Sequence, residues 1–145
     1  MRVLAVLLCL LFAGVARPAA ADETPSSLAA ADRAAIREVI QGQIGAFRAD
    51  DAAAAFGYAS PNIQGMFGTP EHFLAMVRNG YQPVYRPRSV TFGALVEVDG
   101  QPAQKVEVVG PDGRGTLALY YMEHEADGTW KIDGCQLTES EDVGA

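Results

Sequence analysis

The chain has 145 residues, 49% hydrophobic and 20% charged, with a formal charge of −7 and two cysteines. That length suits one domain, and the apolar fraction excludes a mainly disordered chain. Eighteen acidic against eleven basic residues make nucleic acid and anionic membrane surfaces poor partners, because both repel an acidic protein.

The first 21 residues have the pattern of an export leader. Arg2 gives a positive start, Val3 to Val15 is apolar apart from Gly14, and Ala19-Ala20-Ala21 supplies the small residues that a signal peptidase needs. The apolar stretch is shorter than the ~20 residues of a spanning helix, so no membrane segment is expected after cleavage. Cys9 follows Leu8, where a lipid-anchor motif has a small residue. Cleavage near Ala21 predicts a periplasmic or secreted chain. It removes Arg2, Arg17 and Cys9 and no acid, leaving a more acidic protein with Cys135 as its only thiol. One thiol forms no internal disulfide, so the fold must rest on its core.

Residues 22–30, opening Asp-Glu-Thr-Pro-Ser-Ser, read as a polar tether before a single domain over 31–138, with 139–145 as a frayed tail. Ile36, Val39, Ile40, Ile44 and Phe47 form one helical stripe between Ala31 and Arg48. Gly42 and Gly45 weaken that helix by ~1 kcal/mol each relative to Ala, which suggests close packing there. Asp50 or Asp51 is placed to cap a second helix over Ala52–Tyr58, ended by Ser60-Pro61. Residues 60–69 read as a loop. Thr69-Pro70-Glu71 starts a third helix, with a cap, a first-position proline and an acid at the positive end of the dipole. It presents Phe73, Leu74, Met76 and Val77 and stops near Asn79-Gly80.

Ser89–Val98, Ala103–Val109, Thr116–Glu125 and Thr129–Leu137 read as four strands, separated by Asp-Gly turns at 99–100, 112–113 and 127–128. Cross-strand partners share a face. A three-residue first turn sets Phe92 opposite Val108; turns centred on the other two Asp-Gly pairs set Val106 opposite Leu119 and Tyr121 opposite Gly134. Val90, Phe92, Ala94, Val96, Val106 and Val108 then face the helices, with Leu117, Leu119, Tyr121, Trp130 and Ile132. The outer face carries Tyr120, Met122, Cys135 and Leu137 among charged residues, a mixture that suits a homodimer interface.

Helices followed by an antiparallel meander, ending in Gly-Thr-Trp-Lys-Ile, resemble the nuclear-transport-factor-two-like, cone-shaped superfamily. More narrowly, Phe67-Gly-Thr-Pro-Glu-His-Phe73, Met76-Val-Arg78 and Tyr81-Gln-Pro-Val-Tyr-Arg-Pro-Arg-Ser-Val-Thr-Phe92 resemble a family of short exported proteobacterial proteins catalogued as a domain of unknown function. The resemblance covers about residues 31–138. It implies an α+β fold, N-terminal helices packed on a curved four-stranded antiparallel sheet, and no activity. The superfamily holds isomerases, dehydratases, hydrolases and binding modules alike, so the fold does not choose among them.

Superfamily isomerases pair a pocket carboxylate with a Tyr or acid donor. The catalytic candidates here are Asp50, Asp51, His72 and Tyr58; the competing assignment makes the aspartates helix caps and puts His72 on a solvated turn. His124 and Cys135 share a strand face but are not paired, so they make no Cys-His dyad. Two histidines without short spacing make a poor metal set. Gly110–Gly115 (Gly-Pro-Asp-Gly-Arg-Gly) is followed by a strand and is a hairpin turn, not a phosphate loop. No cofactor is expected.

Residues 72–96 contain no Asp or Glu, yet carry Arg78, Arg86 and Arg88 with Tyr81 and Tyr85 between them. Such a segment suits a carboxylate or other anion at a cavity mouth, or else pairs with nearby acids. The function expected is non-catalytic binding of a small apolar or amphipathic ligand, or of a protein partner. The pocket would be lined by Phe47, Phe56, Phe67, Phe73, Phe92, Tyr121 and Trp130. Two alternatives are an isomerase- or hydrolase-like enzyme and an interaction protein whose core is filled.

Overall fold

Ile36, Ile40 and Ile44 recur at helical spacing and are 0%, 0% and 3% exposed on one face of α1 (Ala30–Arg48). The computed structural model describes residues 22–140; the expected leader and residues 141–145 of the expected tail lie outside the described residues. After α1 come α2 (Ala52–Gly57), α3 (Pro61–Phe67), α4 (Pro70–Gly80) and α5 (Gln82–Tyr85). Asp51 Oδ1 accepts from the Ala54 N–H, Ser60 Oγ from Ile63 and Thr69 Oγ1 from His72, so a side-chain cap starts each of α2, α3 and α4. The helix α3 replaces the loop expected over 60–69. Ser60-Pro61, read as a stop, is a cap followed by a first-position proline.

The sheet is an antiparallel meander in the order β1-β2-β3-β4-β5, a class of α+β as expected. Its strands are β1 (Glu23–Pro25), β2 (Ser89–Val98), β3 (Gln101–Val109), β4 (Gly115–His124) and β5 (Trp130–Glu139). The additional strand β1 comes from the expected tether: Glu23 pairs with Val98 and Pro25 with Val96 along the edge of β2. At the other edge, Ala59 forms a parallel bridge with Ile132, the Ser60 N–H donating to the Ile132 carbonyl and the Ile132 N–H to Tyr58. The α2–α3 junction thereby ties the helical layer to β5.

Registers differ from the expected ones at three places, and the differences decide which side chains meet the helices. The first turn has two residues: Val98 pairs with Gln101 across Asp99-Gly100, both at positive φ (51° and 81°), as a primed turn requires. The extra residue sits in a bulge between Phe92 and Leu95, which returns Phe92 to the face of its partner Val106. Between β3 and β4, Val108 pairs with Thr116 and Val106 with Ala118. This one-residue shift turns every side chain of β4 over. A second bulge between Tyr121 and Met122 leaves Tyr121 opposite Gly134, as expected, and Tyr120 opposite Cys135, and sets Met122 opposite Ile132.

Ala118, Tyr120 and Met122 therefore face the helices at 0–1% exposure, and Leu117, Leu119 and Tyr121 face outward. The expected homodimer surface is corrected accordingly. Tyr120 and Met122 belong to the core, and Cys135 and Leu137 pack against it. On the outer face, Leu119 and Tyr121 pack with Val96, Val98 and Ala103 in a small cluster beside β1.

Two larger clusters make the main core. One joins the α1 isoleucines to Val106, Val108, Ala118, Tyr120, Met122, Trp130 and Ile132 of the sheet. The other joins Phe47 of α1 to Ala55, Phe73, Leu74, Val77 and Tyr85 among the helices. Burying such a side chain contributes about 1.5–3 kcal/mol.

Candidate functional site

A cavity of about 230 Å³ opens at the seam between these two clusters. The helices give it Phe47, Phe73, Met76 and Val77; β4 and β5 give it Tyr120, Ile132 and Cys135. Ile63, Met66 and Phe67 of α3 form its outer wall, and Gln43, Ala59, Tyr81, Val84 and Gly134 complete it. No lining side chain carries a charge. The wall formed by α3 is thin: that helix has no buried residue, and Met66 is 65% exposed.

The aromatic wall is built by helix spacing. Phe73 packs against Phe47, Phe56 and Phe67 with ring centroids 6.2, 5.6 and 5.7 Å apart, within the range of favourable tilted contacts. Behind the opposite wall, packed off from the cavity space, lies a polar group. The Tyr120 hydroxyl is buried and has no hydrogen-bond partner. Burial pushes its pKa well up, with Cys135 adding to the effect, so the phenol keeps its proton. The neighbouring buried amide, Gln104, donates through Nε2 to the Gly93 and Lys105 carbonyls, each at 2.9 Å, and so holds the β2 bulge. Gln43, 4% exposed, donates to the Ala55 carbonyl at 3.2 Å. The Cys135 thiol is turned inward and burial pushes its pKa up to about 12, the opposite of an activated nucleophile.

Of the aromatics expected to line a pocket, Phe47, Phe67 and Phe73 do so, joined by Tyr81 of the basic segment. Phe56 stands behind Phe73. Trp130 is core: its ring stacks on His124 at 4.4 Å, and its indole N–H donates to Asp32 at 3.1 Å. Tyr121 faces outward and donates to Gln136 at 3.3 Å. Phe92 borders a separate groove with Arg48 and Arg88, under the Arg37 guanidinium.

The catalytic candidates do not reach the cavity. Asp51 caps α2, and exposed His72 has Nδ1 3.0 Å from the Phe67 carbonyl. The Tyr58 ring fills the space that a side chain at Gly42 would need. Asp50 sits just beyond α1 at φ 50°, a left-handed conformation that aspartate adopts more readily than most residues. It accepts from the Tyr85 hydroxyl and from Arg86 Nη2 at 2.9 Å, with Arg78 Nη2 at 3.7 Å. The Tyr85 hydrogen bond, then Arg86 and Arg78, hold the Asp50 carboxyl below its ordinary range. Arg86 also donates to the Phe47 carbonyl at the end of α1 and stacks 4.0 Å over the Tyr85 ring.

The acid-free segment is thus divided by the structure. Arg78 and Arg86 are engaged by Asp50, while Arg88 borders the Phe92 groove with its Nη1 beside Gly113 of the β3–β4 turn. Tyr120 and Cys135 were missed from the sequence because the β3–β4 register and the second bulge are set by non-local contacts. Met66 and Ile63 were missed with their helix, although Ser60-Pro61 carried the signal.

The model of a family described as Domain of unknown function (DUF4864) matches residues 29–145. No curated protein and no solved structure matches the chain.

Proposed function

The chain belongs to this family of unknown function, and we propose that it is a non-catalytic domain that binds a small, largely apolar molecule between its helices and sheet. The observation that carries this reading is the uncharged cavity of about 230 Å³ at the seam of two cores. The space opens beside Met66, which is 65% exposed, and a concave, mostly apolar cleft with few polar groups is the usual setting of a small-molecule site. An engineered apolar cavity of about 150 Å³ already takes up benzene.

No carboxylate or imidazole lines the cavity among the described residues. That favours binding over acid–base catalysis, which needs a titrating group within hydrogen-bond reach of the reacting atom. Export is part of the proposal and rests on the sequence of residues 1–21. The likeness to the nuclear-transport-factor-two-like superfamily rests on sequence pattern and element order alone and carries no part of the reading.

Methyl-resolved NMR of the mature chain, titrated with toluene and with isopropylbenzene, tests the binding. Shifts at Ile63, Met66, Met76, Val77 and Ile132, with a rise in Tm, are expected. Absence of saturable shifts at these residues overturns the proposal. Mass spectrometry of protein purified from its own periplasm would identify the resident ligand, and an N-terminus at Asp22 would confirm export.

A further inference from the structure

The groove bordered by Phe92 shares no lining residue with the cavity. We propose that it is a second site, for a small amphipathic anion whose carboxylate or phosphate meets arginines and whose apolar body lies along Ile44, Val90 and Phe92.

Arg37 and Arg48 are three helical turns apart, so they stand on one flank of α1, about 16 Å from each other along its axis. The Arg37 guanidinium lies 5.6 Å over the Phe92 ring, and Arg48 Nη2 donates to the Pro87 carbonyl at 3.0 Å. These two contacts lay Pro87–Phe92 alongside the helix, with Arg88 at the Arg48 end. Ile44, 3% exposed, and half-buried Val90 and Phe92 give an apolar floor between the arginines. Gly45 keeps the groove open, since nothing lies within 4 Å of the place its Cβ would take. The space is about 500 Å³, a usual size for a small-molecule site.

The charges of this groove are not compensated within the fold. No acid lines it, and none lies within 4 Å of Arg37, Arg48 or Arg88 among the described residues, whereas Arg78, Arg86 and Arg114 each have an aspartate partner. Arg48 gives one N–H to Pro87 and keeps the rest of its fork. The exposed Arg88 head rests beside Gly113 without a hydrogen bond, so turning it toward a ligand breaks none. Guanidinium forks match the oxygens of carboxylate and phosphate.

The size of the partner follows from the same charges. A polyanion is repelled by a chain of formal charge −7, whereas a small anion within a Debye length of ~8 Å is governed by the nearby arginines. An added acidic strand is disfavoured as well, because the bulge between Phe92 and Leu95 interrupts the part of the β2 edge that β1 leaves free.

Naphthoate and naphthyl phosphate are the probes, with naphthalenemethanol as their neutral counterpart. In the intact mature chain, methyl-resolved NMR should show saturable shifts at Ile44 and Val90 with both anions, while Ile63 and Ile132 of the cavity stay unmoved. The alcohol should bind at least tenfold more weakly than the anions, and added salt should weaken the anions alone. Arg88→Gln, which removes no bond internal to the fold, should weaken both anions about tenfold. Gly45→Leu should fill the groove and abolish their binding with cooperative unfolding retained. Equal affinity for anions and alcohol overturns the proposal, as do unchanged affinities in both variants or shifts confined to the cavity methyls. Binding to phosphatidylglycerol vesicles without binding of either probe overturns it in favour of a membrane surface. Since the two pockets share no residue, neither reading falls with the other.

Discussion

Tyr120 of β4 stands directly opposite Cys135 of β5, and both side chains face the helices at the floor of the cavity. The pair combines a phenol without a partner and a thiol whose ionisation is suppressed by burial.

Reactivity of the thiol reports this burial. With its pKa pushed up to about 12, Cys135 is almost entirely protonated at pH 8, whereas a free cysteine titrates near ~8.5. Iodoacetamide should label the native mature chain about a hundredfold or more slower than the same chain in urea. Equal rates in the two states would place the thiol in solvent.

Removing the Tyr120 hydroxyl should stabilise the empty protein. An unsatisfied buried hydroxyl costs roughly 1–3 kcal/mol, and Phe keeps the ring. Tyr120→Phe is expected to raise the urea midpoint, with a gain of about 1 kcal/mol. A loss of that size would show that the hydroxyl has a partner in solution.

The two glycines of α1 make a matched pair. A Cβ at Gly42 would collide with the Tyr58 ring, whereas nothing lies within 4 Å of one at Gly45. Gly42→Ala should destabilise by about 1–3 kcal/mol through overpacking. Gly45→Ala should stabilise by about 0.5–1 kcal/mol, the ordinary helix gain. Chemical unfolding of both variants checks the pair, and like signs would refute the Tyr58 contact.

Acid stability reports on Asp50. Its carboxyl is held below the ordinary value by Tyr85, with help from Arg86 and Arg78. A folded value lower than the unfolded one contributes stability above the ordinary carboxylate range. That contribution is lost as pH falls through the folded value. Asp50→Asn should therefore lower stability at pH 7 and flatten the acid side of the stability curve, with little difference from wild type at the lowest pH. Parallel curves for the two proteins would count against the cluster.

How much of this was legible in the sequence depends on range. Helix α4 was fully written in Thr69-Pro70 and its apolar stripe, because capping and periodicity act over a few residues. Phe47, Phe67 and Phe73 were found for the same reason. The places of the turns were legible too, since each Asp-Gly puts its glycine at positive φ, but their lengths were not. Facing was not: whether Tyr120 or Tyr121 points inward depends on a shift and a bulge chosen by packing across strands. The basic segment showed its composition but not its partner, since Asp50 meets Arg86 only after α4 and α5 return the chain to the end of α1.

The bulge at 93–94 also constrains how the gene can change. Two residues join β2 to β3, and the bulge restores the inward phase that so short a turn would forfeit. Deleting Ala94 alone would remove the extra residue, leave Gly93 opposite Lys105 and keep Phe92 opposite Val106, a regular ladder in place of the bulge. Length variation between descendants of this chain should therefore gather at this bulge, where the loss of one residue leaves Phe92 on the core face.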